Sequence, residues 1–463
     1  MPQKPDPVLD AVPEPAPAPE APAPEAPTPR VLANVAVAPV TGTPTPPYTD
    51  CLRFDATGAV QNFVVPDGVT VINARVWGAG GQSWPDYHHY GGGGGFASGD
   101  ISVVPGETLS VVVGRPGGFG GGGTGLGAGG GLSGLYSPRL QRPLLVAGGG
   151  GGSTSFTDGS GGNGGAGGGH SGAAGAGFVP GKGAVGATGG AGGADTHGNR
   201  GGRGGDLGSP GGANARGVPG GVVPIAGLGG GGGAGIQVPN GQWRGSGGGA
   251  GYAGGGGAAC DAGAASVGGG GGGGSGFAAG PGVSGGVTTA GSGRYAANKT
   301  DPLYQAGIGD DYQPGQVVLQ WRAPAITVVP GGPPDVTLIP GGETGYPGVR
   351  VRAEEEATGL RRTVRVTLPQ GEGLRFVEEG APGYALTVWD ASGGMSHPLG
   401  TLSADGRTLT FPDVLLGLAG AGSISTMWVA VRAYGTPRQA DTQLAFQVGD
   451  RSANSTPIRL VDR

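Results

Sequence analysis

Between Gly78 and Asp310 this chain is saturated with glycine: 91 of its 115 glycines fall in that stretch. Runs such as Gly91–Gly95, Gly148–Gly152, Gly229–Gly233 and Gly268–Gly274 are too long to be turn punctuation. They keep no strict Gly-X-Y period with abundant proline, which excludes a collagen triple helix. Two readings remain, a disordered linker or a set of packed glycine helices. Ordering a glycine costs about 0.5–1 kcal/mol more than ordering an alanine, so an isolated run is a coil. Packing reverses this. In polyproline-II geometry the backbone has three residues per turn, rises about 3.1 Å per residue and makes no internal hydrogen bonds. Its amides and carbonyls then point outwards, and without Cβ atoms neighbouring chains approach closely enough to pair sideways. Larger residues interrupt the runs in clusters at Ser153–Asp158, Ala194–Arg200 and Ile236–Arg244. That clustering favours an ordered polyglycine-II bundle whose loops carry the side chains capable of recognition.

Ordinary β-sequence brackets the glycine on both sides. Val60–Pro66 is β-rich and ends at a Pro66-Asp67-Gly68 turn. Thr70–Trp77 alternates, with Val71, Asn73, Arg75 and Trp77 on one face and Ile72, Ala74 and Val76 on the other. Phe96–Val104 and Leu109–Val113, joined by Pro105-Gly106-Glu107, read as a hairpin. Leu144–Val146 is a short apolar strand, and Gln316–Trp321 closes the series. Residues 51–322 therefore read as one β-sandwich with a glycine insert at about 115–310. Residues 1–50 read as a tether, because the Pro/Ala/Glu alternation of Pro13–Pro27 prefers extended polyproline II and buries no core. Beyond Ala323-Pro324 the composition returns to normal. Some eight alternating strands over residues 325–463 point to an immunoglobulin-like β-sandwich. No long helical period occurs, so the fold class is mostly β.

Composition excludes several functions. Only 13% of residues are charged and the net charge is −5, so no basic stripe is present to displace counterions from nucleic acid. Lysine occurs only at Lys4, Lys182 and Lys299. No stretch approaches the roughly 20 apolar residues of a membrane span, and the N-terminus shows no apolar core of a secretory signal. The expected location is extracellular or on a cell surface, reached by another export route or on a particle. The two cysteines, Cys51 and Cys260, fit no zinc pattern; one disulfide and two separate thiols are both compatible with their spacing.

No catalytic constellation emerges. Gly-x-Gly-x-x-Gly recurs by chance in such a composition and precedes no helix, and Gly181-Lys182-Gly183 lacks the Ser/Thr of a phosphate loop. His88, His89 and Asp86 are too few to define a metal site, and Asp310-Asp311 lies in no calcium-binding repeat. The candidate binding residues are Trp84, Tyr87, His88, His89 and Tyr90 in one loop and Trp243 and Arg244 in another. Aromatic rings with polar tips supply rigid contact area at such sites. The expectation is a non-enzymatic recognition or adhesion protein with no cofactor and no metal. Its partner would be a protein or glycan on a cell surface, without nucleic-acid binding or membrane insertion. A structural cell-envelope role without a specific ligand is the other class of reading.

Three segments in order carry a resemblance: Phe63–Gly81, Gly91–Glu107 and Leu144–Gly152. Together they resemble the glycine-rich domain of the anaplastic lymphoma kinase and leukocyte tyrosine kinase receptor ectodomains. The similarity covers about residues 52–322. It implies a jelly-roll-like (tumour-necrosis-factor-like) sandwich with packed polyglycine helices inserted, lying outside the cell and taking part in ligand binding. The kinase itself is not implied, because the chain contains no His-Arg-Asp loop, Asp-Phe-Gly or Val-Ala-Ile-Lys strand. The glycine runs also resemble the tips of phage long tail fibres, which implies a receptor-binding tip as an alternative. Gly161–Gly169 resembles mycobacterial glycine-rich surface proteins in composition.

Overall fold

The computed structural model describes residues 40–83, 88–156, 160–237, 245–260, 268–333, 336–371, 373–378, 383–434, 440–449 and 451–461. Among them there is no α-helix. Twelve strands belong to the region before residue 322: β1 (Val40–Thr41), β2 (Asp50–Phe54), β3 (Gln61–Val64), β4 (Val71–Trp77), β5 (Phe96–Ser102), β6 (Thr108–Val112), β7 (Ser133–Ser137), β8 (Arg142–Ala147), β9 (Thr154–Ser155), β10 (Gly161–Gly162), β11 (Val283–Thr289) and β12 (Gln316–Trp321). One sheet runs β1-β2-β12-β4-β5-β11 and a second runs β3-β6-β7-β8. Their inner faces enclose one core that includes Phe54, Phe63, Ile72, Leu109, Leu145 and Trp321.

The alternation in β4 dictates its burial. Ile72, Ala74 and Val76 face the core between the sheets. Trp77 turns outward beneath the 297–308 segment, where its indole N–H donates to the Ala297 carbonyl at 3.2 Å. The outer face of the second sheet is covered as well: Val112 and Val146 pack against Leu132, Leu228 and Ala250.

The hairpin expected at residues 96–113 does not form. β5 pairs with β4 and β11 in the first sheet, while β6 pairs with β3 and β7 in the second. The turn between them crosses from one sheet to the other. Val103 still donates to Thr70, but the N–H of Val65 already donates to Glu107. Pro105, with no N–H, cannot extend the first ladder. β7 and β11 also escape the sequence reading. Ser133–Ser137 is short, and Val283–Thr289 is an exposed edge strand with a register shift between Ser284 and Val287.

The registers bring β4, β5, β11, β12, β6, β7 and β8 to one common end of the sandwich, where Trp77, Phe96, Thr289, Gln316, Val112, Ser133 and Ala147 lie. Glycine-rich chain leaves and returns at this end four times, over residues 78–95, 113–132, 148–275 and 290–315. After the third excursion the chain runs back alongside β8, with Phe277 bridged to Val146, and β11 starts at the opposite end, where Val283 pairs with Ile101. The insert is thus shared among several connections rather than carried by one.

The hydrogen bonds of these excursions follow a rule. Gly270 and Gly273 donate to the carbonyls of Ala176 and Ala173, Gly271 and Gly274 to those of Gly152 and Gly149, and Gly272 and Ser275 to those of Gly256 and Ala253. Successive amides therefore turn through three neighbouring segments and return to the first after three residues. The same rotation recurs at Gly254–Ala259: Gly254 and Gly257 donate to Gly205 and Gly202, Gly255 and Ala258 to Gly249 and Ser246, and Gly256 and Ala259 to Lys182 and Val179. Nearly every contact is between backbones, so there is no room for side chains. A Cβ on Gly150, Gly204, Gly232 or Gly270 would lie inside 3.0 Å of a neighbouring carbonyl. The residues in the run Gly270–Gly274 have no positive φ, so close approach, rather than backbone conformation, is what requires glycine there.

Residues 326–460 build a separate core that includes Val351, Val364, Phe411, Met427 and Phe446. Its main sheet has ten strands, nine of them in a path whose ends, Ile326–Pro330 and Arg451–Asn454, come alongside each other, with Met395–Ser396 paired beside Tyr384–Trp389. This module joins the sandwich at the pole opposite the glycine. Arg322 pairs with Glu355 at 2.9 Å, and Pro324 and Leu360 pack on Gly68.

Gly204→Ala sets a methyl group against the Gly254 carbonyl, whereas the site of Gly118→Ala is open apart from the Pro116 carbonyl at 3.9 Å. Overpacking of this kind costs about 1–3 kcal/mol. Thermal unfolding followed by calorimetry should show Gly204→Ala lowered by several degrees and Gly118→Ala within a degree or so of the parent.

Candidate binding face

Because the glycine segments run side by side, their turns fall at two ends. Near the sandwich lie the turns at 169–171, 185–188, 206–208, 224–228 and 252–253. The first two are tied to this end by Gly276 donating to Gly169 and by the Ser275 hydroxyl donating to Gly186. At the far end lie the connections at 124–127, 177–180, 194–200 and 213–219, together with residues 83, 88–90, 154–156, 160–161, 236–237, 245, 260 and 268. They are linked to one another: Leu126 donates to Gly245, Ile236 to Ala258, Ala259 to Val179, and Ala215 to Arg200. The Thr154 hydroxyl donates to the Gly269 carbonyl at 2.7 Å and also contacts the Ser246 hydroxyl. Among the described residues the result is one distal face that includes the loops at 124–127, 177–180, 194–200 and 213–219.

Short polar side chains hold these loops in shape. The Asp195 carboxylate accepts the N–H groups of His197 at 2.9 Å and Asn199 at 2.7 Å, and its second oxygen accepts the Asn199 amide. Asn214 Oδ1 accepts the N–H groups of Arg216 and Val218, while its Nδ2 donates to the Gly235 carbonyl at 2.6 Å. Asn163 Oδ1 accepts the Tyr90 N–H at 3.0 Å. Asn and Asp bond readily to backbone a few residues on, which replaces hydrogen bonds that a loop lacks. The side chains so presented include Thr196, His197, Arg200 and Arg216, all exposed, and Phe178, 46% exposed nearby. An exposed phenylalanine beside these polar side chains offers apolar contact area.

The residues expected from sequence divide into two groups. Trp84, Tyr87, Trp243 and Arg244 lie outside the described residues. His88 is exposed on the distal face, and His89 is half-buried against Gly161. Tyr90 is a structural anchor as well as a loop residue: its carbonyl accepts the Gly164 N–H, and its ring lies 5.8 Å from the Arg294 guanidinium. Arg294 in turn pairs with Asp311 at 3.2 Å, and Asp311 also accepts the Gly91 N–H at 3.0 Å. Burial pushes the Asp311 carboxyl above its ordinary value, against the pull of Gly91 and Arg294. Asp310 is held by Lys299 at 2.8 Å and by the Ala296 N–H. The acidic pair therefore ties the 290–315 segment down. No disulfide joins Cys51 and Cys260. Cys51 is buried under the 297–308 segment, whereas Cys260 is buried at the edge of the distal face, bridged to Gly268.

Sequence reasoning singled out the loops at Ser83–Tyr90, Ser153–Asp158, Ala194–Arg200 and Ile236–Arg244 but not those at 177–180 and 213–219. The signal was present in each: a Phe-Val-Pro and an Asn-Ala-Arg-Gly-Val-Pro interrupting glycine.

No protein-family model matches the chain. No curated protein matches it either.

Asn214→Ala removes both acceptor bonds and the donor to Gly235. Losses of this kind cost about 1–2 kcal/mol, confined to the loop they brace. Hydrogen exchange read by mass spectrometry should accelerate at residues 213–219 and stay unchanged at residues 270–275.

Proposed function

We propose that this is a non-enzymatic recognition or adhesion protein that displays loops on a rigid bundle of polyglycine-II helices. The observation that carries the reading is the three-residue rotation of the amides through three neighbouring segments, together with the gathering of the described loops at 124–127, 177–180, 194–200 and 213–219 at one pole. A threefold backbone with no internal hydrogen bonds satisfies its polar groups only in such a bundle. The bundle contributes stiffness, and the loops contribute recognition chemistry through Phe178, His197, Arg200, Arg216 and the loop around His88. In this reading residues 51–322 form a glycine-rich domain like that of the anaplastic lymphoma kinase and leukocyte tyrosine kinase receptor ectodomains, with a jelly-roll-like sandwich. Residues 325–463 form an immunoglobulin-like spacer. The partner is a protein or glycan on a cell surface, met outside the cell.

A second reading, the receptor-binding tip of a phage or injection-system fibre, is favoured by polarity. The C-terminal module joins the sandwich at one pole and the loops occupy the other, which suits a tip carried at the end of a shaft. A cell-envelope filler, by contrast, has no use for loops fixed by Asp195, Asn214 and Asn163.

Two measurements test the proposal. In hydrogen exchange, the amides of residues 247–251 and 270–275 are expected to exchange slowly. Fast exchange throughout the glycine runs would remove the scaffold, and with it the reading. In a cell-binding assay with labelled full-length protein, the double variant Phe178→Ser with Arg216→Ser is expected to lower the cell-bound fraction at least tenfold. Its melting temperature should stay unchanged, since the two side chains are exposed.

A further inference from the structure

Where the sandwich meets the glycine bundle, four separate connections converge on an open groove of about 540 Å³. Asp55 follows β2, Gln82 follows β4, Arg115 follows β6 and Tyr312 precedes β12. Pro116 and Pro314 supply apolar walls. The groove lies at the shoulder of the domain, away from the loops 177–180 and 213–219, and does not depend on the function proposed for the distal face.

Three of the side chains are hydrogen-bonded on one side, and the fourth, Tyr312, stands half exposed. Asp55 Oδ1 accepts the Gln316 amide at 3.1 Å, and Oδ2 makes no bond to a described residue. Gln82 Oε1 accepts the Ala128 N–H at 3.2 Å, and Nε2 donates to no described residue. Arg115 donates through Nε and Nη2 to the Ala56 carbonyl, at 3.1 and 2.6 Å, while Nη1 lies beside Gly58 and makes no hydrogen bond to a described residue. Tyr312 is 54% exposed and its hydroxyl has no partner among the described residues.

Tyr312 supplies a second observation. Its φ is +62°, the left-handed region that a bulky L-residue rarely adopts. The conformation is held from outside: its N–H donates to the Gly81 carbonyl, and the Gly80 N–H donates to Gln313 next to it. A glycine would occupy the position without strain in a chain that uses glycine everywhere around it. A tyrosine kept in an unfavourable backbone conformation, half exposed over a groove, indicates selection for the ring.

We propose that this groove binds a neutral saccharide, with Tyr312 as the stacking platform and Asp55, Gln82 and Arg115 as hydroxyl partners. The charges carry the choice of ligand. One carboxylate and one guanidinium cancel, so a simple anion gains no net field, whereas a polyhydroxy ligand uses an acceptor and two donors together. A pyranose also presents a face of C–H groups to an aromatic ring, and the flanking prolines suit that face. The volume falls in the range of small-ligand sites, about 300–1,000 Å³.

The test uses the full chain and four probes: methyl α-D-glucopyranoside, methyl β-D-galactopyranoside, methyl α-D-mannopyranoside and N-acetylglucosamine. Saturation-transfer NMR is expected to detect at least one of them, with the strongest transfer at ring C–H protons. Asp55→Asn and Tyr312→Asn should each weaken that probe at least tenfold, asparagine being chosen at 312 because it tolerates the left-handed region. Phe178→Ser on the distal face should leave the binding intact, which separates this site from the face above. The proposal is overturned if none of the four probes gives transfer to the parent protein, or if the affinity is unchanged in both groove variants. Displacement of the bound probe by millimolar acetate or phosphate would also overturn it, by assigning the groove to anions.

Discussion

The sideways hydrogen bond between backbones without Cβ atoms is the constraint on which the rest of this molecule depends. A side chain between two segments would separate their amides from their carbonyls, and a buried unpaired backbone group costs as much as a lost hydrogen bond. Packing by glycine avoids this at a price in chain entropy, spread over the whole block. The compensation comes from satisfaction in three directions at once. Each of the residues 270–275 donates to a neighbour, and the neighbours are shared with the segments at 149–152, 173–176 and 253–256.

Such a block has no hydrophobic core of its own, which explains its attachment to a sandwich. The two sheets bury aromatic and aliphatic side chains between them and end together, so the glycine segments start from fixed positions. Both outer faces of the sandwich are then used as anchors. Trp77, Phe96 and Leu303 hold one return segment, and Leu132, Val146, Leu228 and Ala250 hold the base of the bundle on the other side. Two salt bridges to adjacent aspartates, Lys299 to Asp310 and Arg294 to Asp311, fasten the last excursion before β12.

The division of labour follows from the same geometry. Large side chains find no room between the segments, so they collect at the edge of the bundle and where segments turn. Turns towards the sandwich are taken up by packing, as at Leu228 and Ile225. The described turns at the other end carry exposed polar and aromatic groups instead. Their order comes from Asp195, Asn214 and Asn163, short side chains that lose little entropy when they bond to nearby backbone.

The sequence by itself determined the mostly β class, most of the strand positions and the faces of β4, because period-two alternation and β-branched runs are local properties. It also located several of the loops, since an interruption in glycine is visible without a structure. Only the tertiary structure decided that β5 and β6 belong to different sheets, that Val283–Thr289 is an edge strand, and that the glycine leaves the sandwich four times from one end. Strand partners are chosen by contacts far apart in the chain, and a glycine run carries no side-chain pattern from which a partner could be read. The groove of Asp55, Gln82, Arg115 and Tyr312 was illegible for the same reason: its residues are spread over nearly 260 positions, and only the common end of two sheets brings them together.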